Sequence, residues 1–148
     1  GQGRVLWEGD TKQVPPFCAE AGVAVAQENI ANAGWDARIL VVGSEAFAMR
    51  RVAADGEWRT NISCGGRAES FTPPKEWLQL AHLAAHALGA NIAGVDILPG
   101  SDGSPWVLDV NAVPGWQALQ TVTHDNISAA ILNTIRHHFD STPHVGRH

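Results

Sequence analysis

Cysteine is scarce in this sequence, and no long apolar segment is present. The two cysteines, Cys18 and Cys64, show no CxxC spacing. This favours a thiol-containing cytoplasmic protein, with a single disulfide as the alternative. No apolar run approaches the roughly 20 residues that a membrane span needs, and no basic segment followed by an apolar stretch indicates a signal peptide. We therefore expect no membrane partner.

Positive charge is also limited. The 148 residues contain 10 Lys and Arg against 15 Asp and Glu, which gives a net charge of -5. This balance argues against a nucleic acid polymer bound through its phosphate backbone. A single nucleotide needs only a few well-placed cations and stays compatible with it. Hydrophobic residues make up 45% of the chain, which is typical of a globular domain with an ordinary core.

The hydrophobic pattern predicts strands, hairpins and two helices. A strand at 37–42 is expected to pair with 45–51 around a turn at Gly43, and strands at 92–98 and 106–110 form a second hairpin. A helix at 75–88 follows a capping Thr72 and ends before Gly89. A second helix covers 125–139, with its apolar residues at helical spacing. Shorter strands are predicted at 4–8, 23–28 and 58–62.

The second hairpin carries a set of oxygen-bearing side chains. Because side chains alternate along a strand, Asp109 and Asn111 project to the same side, and Asp96 on the neighbouring strand can face the same way. Two carboxylates that lie close together repel unless a cation or a proton intervenes. A set of oxygen donors without Cys or His is what Mg²⁺ prefers. The alternative is that the three side chains are solvated on an exposed sheet face.

Several segments in order resemble the ATP-grasp superfamily, and within it the RimK-type carboxylate–amine ligases. With the hairpin, the segment 111–116 (Asn-Ala-Val-Pro-Gly-Trp) is similar to the family signature. The resemblance extends over residues 27–123 through the segments 27–30, 35–43, 48–51, 58–61 and 65–66.

The resemblance implies an α+β fold, in which an antiparallel sheet has helices on one face. It also implies ATP and Mg²⁺, or alternatively Mn²⁺, as cofactors. The family's site residues carry over to metal ligands Asp96, Asp109 and Asn111, phosphate contacts Arg59 and Asn61, sugar contact Asp36, adenine-edge contacts Glu28 and Asn29, and Arg50 as the group that neutralises the transferred phosphoryl. Arg50 and Arg59 are thus the expected catalytic residues. Arginine suits these roles because its planar fork stays charged and binds bidentately.

The implied reaction phosphorylates a carboxylate acceptor with ATP, after which an amino acid, glutamate in many family members, attacks the acyl phosphate. No covalent protein nucleophile is needed, because positioning and charge stabilisation supply the catalysis. A homo-oligomer is compatible with the resemblance. The different class of function to weigh against it is a non-catalytic nucleotide-binding or assembly module descended from such ligases.

The sequence departs from the family pattern at three places. Asp109 stands where the branch usually has Glu, and Cys64 stands where a basic residue often precedes the paired glycines. The family's ATP-binding Lys and its preceding domain would lie upstream of Gly1, and the segment 1–5 resembles the end of the glycine-rich phosphate loop. We therefore expect residues 1–29 to be a remnant of the smaller ATP-binding subdomain with its hinge, and residues 30–148 to be the metal- and phosphate-binding subdomain. As an isolated truncated fragment, the chain is expected to be inactive.

Overall fold

A computed structural model describes residues 27–141, without the side chain of Ser141. The chain divides into two units, Gly1–Ala31 and Asn32–His148, and every helix and strand given below belongs to the second. The predicted strand at 4–8 and most of the predicted strand at 23–28 lie outside the described residues, as does the glycine-rich segment 1–5. Gln27 and Glu28 are described and have no regular secondary structure.

In the described part of the second unit, five strands form one antiparallel sheet, namely β1 (Trp35–Val42), β2 (Glu45–Val52), β3 (Arg67–Ser70), β4 (Ile92–Pro99) and β5 (Pro105–Asn111). Their order across the sheet is β3-β2-β1-β4-β5. The helices are α1 (Lys75–Ala87), α2 (Gln117–Gln120) and α3 (Ile127–Ser141). The α+β fold with an antiparallel sheet and flanking helices is thereby confirmed.

Both predicted hairpins are present. β1 and β2 pair from Trp35 opposite Val52 to Val42 opposite Glu45. The turn between them needs a left-handed backbone, which Gly43 supplies at φ 59°. β4 and β5 pair from Gly94 opposite Asn111 to Pro99 opposite Pro105, and the register shifts between Asp96 and Ile97.

One face of the sheet is covered by α1. Trp77, Ala81 and Ala85 of this helix pack against Ala37, Ile39, Val41, Val95 and Ile97 of the central strands. The spacing of the helical residues at i, i+4 and i+8 places them on one side of the helix. Trp77 also stacks with Trp35 at a centroid distance of 6.1 Å. Small alanines let the helix approach the sheet closely.

The opposite face of the sheet is covered at one end by α2 and α3. Leu119 and Ile127 from these helices pack against Leu40, Val42, Phe47 and Met49. These sheet residues alternate with the ones that contact α1, so the helices lie on both faces of the sheet. The prediction of helices on one face was wrong because the pattern within each helix does not tell which face of the sheet that helix covers.

Three local predictions were also wrong. Residues 58–61 form no strand, and a 3₁₀ turn follows at Ile62–Cys64. The turn is tight, since the amide of Gly66 donates to the carbonyl of Asn61 at 3.1 Å. Thr72 does not cap α1, because Pro74 occupies the N-cap position and no side chain caps it. Leu88 falls after the last residue of the helix and is 65% exposed.

None of the helices in the described part of the chain has both the length and the apolar character that a membrane span requires.

Candidate functional site

Four charged side chains share the sheet face that α2 and α3 leave partly uncovered. Asp36 lies opposite Arg51 in the pairing of β1 with β2, and Arg38 lies opposite Asp96 in the pairing of β1 with β4. Paired residues of antiparallel strands project to the same side, and so do residues i and i+2 of one strand. Asp36, Arg38, Arg51 and Asp96 therefore form one group, called the charged cluster below.

Arg51 is held between two carboxylates. Its Nε donates to Oδ1 of Asp36 at 2.7 Å and its Nη2 donates to Oδ2 at 2.6 Å. Nη2 also lies 2.8 Å from Oδ2 of Asp96. The hydroxyl of Thr60 donates to Oδ2 of Asp36 at 2.7 Å. Asp36 is 3% exposed and Arg51 is 4% exposed, so this part of the cluster lies within the protein.

Arg38 completes the cluster from the other side of Asp96. Its Nε donates to Oδ1 of Asp96 at 2.5 Å and its Nη2 donates to Oδ2 at 2.8 Å. The two guanidiniums and two carboxylates balance one another in formal charge. Burial lowers the pKa of Arg51, but the hydrogen bond to Asp36 and the negative charge of Asp96 outweigh that effect and raise it above its usual value. Arg51 is therefore held as a cation in the folded protein.

The predicted metal ligands lie on the same face as the charged cluster. Asp96 is directly opposite Asp109, and Asn111 is opposite Gly94 two residues along. Directly opposed residues of antiparallel strands have Cβ atoms about 4.5–5.5 Å apart. Asp109 is exposed, whereas Asn111 uses its Oδ1 to accept a hydrogen bond from the amide of Val113 at 2.9 Å. The hairpin therefore brings the three side chains to one side of the sheet.

The chemistry of these donors fits a hard divalent cation, since all three offer oxygen. Both oxygens of Asp96 are already hydrogen-bonded to Arg38, so a cation at this position would share that carboxylate with the arginine. Among residues 27–140, no group of three or more His, Cys, Asp and Glu side chains could hold a metal ion. The set found here has two carboxylates and one amide.

A cleft of about 360 Å³ opens beside the charged cluster. It is lined by Arg38, Met49, Arg51, Asn61, Ile62, Ser63, Gly115, Gln117 and Ala118. Two arginines and no carboxylate belong to this lining, and although Asp36 and Asp96 balance their charge, their guanidinium N–H groups can donate to an anion. Asn61, one of the two predicted phosphate contacts, lies in it.

Glycine shapes the floor of this region at Gly94. A Cβ added there would lie 3.0 Å from Cβ of Pro114 and 3.4 Å from Cδ of Arg38. The missing side chain leaves room for Arg38 to extend across β4 towards Asp96. It also lets the segment after β5, which forms one wall of the cleft, approach the sheet.

Arg59, the other predicted phosphate contact, interacts with two neighbouring residues in the same loop, Glu57 and Trp58. Its Nε and Nη2 donate to the two carboxylate oxygens of Glu57 at 3.0 and 2.6 Å, and its guanidinium lies 6.0 Å from the ring centroid of Trp58. Hydrogen bonds from the Arg59 side chain and backbone lower the pKa of Glu57 to about 2. Arg59 is not among the residues that line the cleft.

Arg50 and Asp36 both pair with other side chains of the protein. Arg50 lies opposite Ala37, on the face covered by α1, where it pairs with Glu69 and its guanidinium lies 5.5 Å above Trp35. It is therefore not brought together with the charged cluster. Both oxygens of Asp36 accept hydrogen bonds from Arg51, and its contact with a nucleotide sugar stays a prediction. Glu28 and Asn29 are exposed and belong to the first unit.

Three residues of the site were not predicted, namely Arg38, Arg51 and Thr60. The signal for Arg38 was present in the sequence, because it stands two residues after Asp36 on a strand and must share its face. Arg51 could be placed only with the register of β1 against β2. Thr60 lies in irregular backbone and offers no periodic signal.

Comparison with known proteins identifies relatives over most of the chain. The model of the RimK-like ATP-grasp domain matches residues 9–135. A protein named probable alpha-L-glutamate ligase from Xylella fastidiosa (strain M12) is 39% identical over 113 residues, which are 75% of this chain and 37% of that protein. Its counterpart of the same name from Syntrophotalea carbinolica is 41% identical over 106 residues, covering 71% of this chain and 35% of the relative.

Solved structures share the fold. The ATP-grasp ligase PsnB, complexed with a phosphomimetic variant of its minimal precursor, Mg and ADP, superposes with a TM-score of 0.59 at 23% identity, covering 74% of this chain and 34% of PsnB. The macrocyclase MdnB from Microcystis aeruginosa MRC gives 0.57 at 23% identity, covering 72% of this chain and 31% of MdnB. This chain spans just over a third of the length of the two curated relatives, at 37% and 35%.

Proposed function

Because the chain belongs to the RimK-like ATP-grasp family, we propose that it supplies part of the active site of an ATP-dependent carboxylate–amine ligase. The observation that carries this proposal is the cleft lined by Arg38 and Arg51 beside the oxygen donors of the second hairpin. An anion site next to a cation site is what the phosphates of Mg·ATP require. Asn61 adds an uncharged polar group to the same cleft.

The reaction proposed is a two-step ligation. A carboxylate oxygen of the acceptor attacks the γ-phosphorus of ATP, the bond to the bridging oxygen breaks, and ADP leaves. The nitrogen of a neutral amine then attacks the acyl carbon, phosphate departs with the former carboxylate oxygen, and the new amide nitrogen loses a proton. Both steps build negative charge on phosphate oxygens, and fixed guanidinium donors stabilise such charge without reorganising.

Mg²⁺, or Mn²⁺ in its place, would be held by Asp96, Asp109 and Asn111. When bound, the ion would neutralise phosphate charge and orient the terminal phosphates. The contribution of this chain is to place these donors on one face of a rigid hairpin. Arg38 and Arg51 then hold an oxyanion on the neighbouring part of the same face.

The amino acid is proposed to be glutamate, because both curated relatives described above are named probable alpha-L-glutamate ligase. A second carboxylate on the amine substrate would suit a site rich in guanidinium groups. We propose that residues 1–29 belong to the smaller ATP-binding subdomain and its hinge, with Glu28 and Asn29 as adenine contacts. A cytoplasmic location is proposed with the family, since ATP and glutamate are the reactants.

The proposal is tested by nucleotide binding. Calorimetry of the 148-residue chain, and of any longer protein that contains it, should show ATP affinity that depends on Mg²⁺. Asp96→Asn combined with Asp109→Asn should abolish that dependence, because both charged donors are lost. Asp55→Asn, at an exposed turn, makes the same chemical change as a control. Unaltered Mg²⁺-dependent affinity in the double variant would remove the metal assignment.

Turnover separates the ligase from a binding module. With glutamate and a carboxylate acceptor present, a longer protein that contains this chain should convert ATP to ADP and phosphate in step with amide formation. ATP that is bound but never converted, across a panel of acceptors, would favour the non-catalytic module instead.

A further inference from the structure

We propose that Asp36 and Thr60 are positioning residues that fix the Arg51 guanidinium so that its remaining edge faces an oxyanion in the cleft. This inference rests on the proposed function, since the oxyanion is taken to be a phosphoryl or carboxylate group of a ligase substrate. It assigns to Asp36 a role through Arg51, in place of direct contact with a nucleotide sugar.

The first step is the isolation of Asp36 from solvent. A carboxylate that is 3% exposed is expensive to bury and is kept charged only by partners that hydrogen-bond to it. Asp36 has three such bonds, two from Arg51 and one from the hydroxyl of Thr60. The hydrogen bonds described for Asp36 therefore all go to Arg51 and to the side chain of Thr60.

The second step is which edge of each guanidinium is used. Arg51 contacts its carboxylates through Nε and Nη2, and Arg38 contacts Asp96 through the same two nitrogens. Among the described residues, no hydrogen bond involves Nη1 of either arginine. Both side chains line the cleft. In each arginine Nε and Nη2 bind carboxylate oxygens, and in Arg51 the Nη2 group is shared between Asp36 and Asp96. The Nη1 side of each guanidinium remains for a ligand.

The third step concerns rigidity. A guanidinium fixed at two nitrogens has lost its rotamer freedom before a ligand arrives, so an oxyanion does not have to order it. The hydroxyl of Thr60 fixes Asp36 in turn. Thr60 sits one residue before Asn61, which lines the cleft, so the same contact also ties that wall of the cleft to the sheet.

The test uses a pair of substitutions at Thr60, since Asp36→Asn could prevent folding. Thr60→Val keeps the shape and removes the hydroxyl, whereas Thr60→Ser keeps the hydroxyl. We expect pyrophosphate affinity to fall about tenfold in Thr60→Val, in keeping with the loss of one hydrogen bond to a charged group, and to stay near the original value in Thr60→Ser. Thr72→Val, at an exposed position, is the matched control.

A spectroscopic readout separates positioning from a general effect on stability. The ¹⁵N–¹H signal of the Arg51 Nε should be resolved in the unmodified chain, broadened in Thr60→Val and restored in Thr60→Ser. Titration with pyrophosphate and, separately, with glutamate shows which oxyanion moves that signal. Movement by either supports the proposal and names the source, and movement by neither overturns it. Equal pyrophosphate affinity in Thr60→Val and Thr60→Ser would overturn the positioning role even where Mg²⁺-dependent ATP binding persists.

Discussion

The two faces of the sheet differ in how deeply their ion pairs are buried, although the consecutive residues Arg50 and Arg51 supply the cations of these pairs. On the face covered by α1, Arg50 pairs with Glu69, and their side chains are 40% and 32% exposed. On the opposite face, Arg51 pairs with Asp36, and their side chains are 5% and 4% exposed. An exposed pair contributes little to stability because water screens it. A buried pair carries a desolvation cost, which at Arg51 the hydrogen bond to Asp36 and the charge of Asp96 outweigh.

The difference between the two faces indicates that the functional site lies on the face with the buried ion pair. Apolar residues of similar volume often stabilise a protein as well as a buried ion pair does. Retaining two guanidiniums and two carboxylates inside the protein therefore points to a use beyond stability. The cleft beside them supplies that use, since it exposes part of both arginines to a ligand.

The largest expected effect on stability comes from removing the cation of the buried ion pair. Arg51→Met leaves Asp36 and Asp96 without their shared cation, and we expect the free energy of unfolding to fall by about 3–5 kcal/mol. Arg50→Met removes the exposed pair on the other face and should change it by less than about 1 kcal/mol. Urea denaturation of both variants measures the two values. Similar losses in the two variants would contradict the distinction between the faces.

A smaller loss of stability is expected when a side chain is added in the connection between β2 and β3. A Cβ added at Gly66 would lie 2.3 Å from the carbonyl oxygen of Thr60, so Gly66→Ala must displace backbone next to the charged cluster. We expect a loss of about 1–3 kcal/mol in unfolding free energy, together with weaker pyrophosphate binding. The control is Ala68→Gly, two residues further on in β3, which changes one methyl group without crowding Thr60.

If the fold tolerates Gly66→Ala with unchanged pyrophosphate affinity, Thr60 does not control the cleft. Denaturation and calorimetry on the same samples therefore distinguish a loosened fold from a displaced Thr60.

Much of the fold could be predicted from the sequence because local patterns set it. Nearly continuous apolar runs define β1 and β4, and Gly43 marks the turn that pairs β1 with β2. β3 escaped prediction because its four residues, Arg67–Ser70, show no apolar alternation. It forms because β2 offers an edge to which it can bond. The faces covered by the helices depend on contacts far apart in sequence.

The candidate site was predictable only in part, for the same reason. The second hairpin places Asp96, Asp109 and Asn111 on one face, and alternation along two adjacent strands is enough to expect that. Whether Arg50 or Arg51 joins them depends on the register across β2, β1 and β4, a relation among three strands. A one-residue difference in that register exchanges the faces, and sequence similarity to a motif does not resolve it.

The smallest expected effect concerns Glu57, whose ion pair with Arg59 is partly exposed and can be compared with the buried pair of Asp36 and Arg51. Hydrogen bonds from the side chain and backbone of Arg59 lower the pKa of Glu57 from an ordinary value of 4.5 to about 2. A depressed pKa means that the folded state favours the charged carboxylate. The stabilisation is therefore fully present above pH 4.5 and is lost as the pH falls towards about 2.

A ¹³C titration of the Glu57 carboxyl group should show a midpoint near that lower value. Arg59→Met, which removes the guanidinium, should move the midpoint back towards 4.5. A midpoint near 4.5 in the unmodified chain would show that Glu57 does not hold Arg59 in solution, and Arg59 would then be available to reach a phosphate.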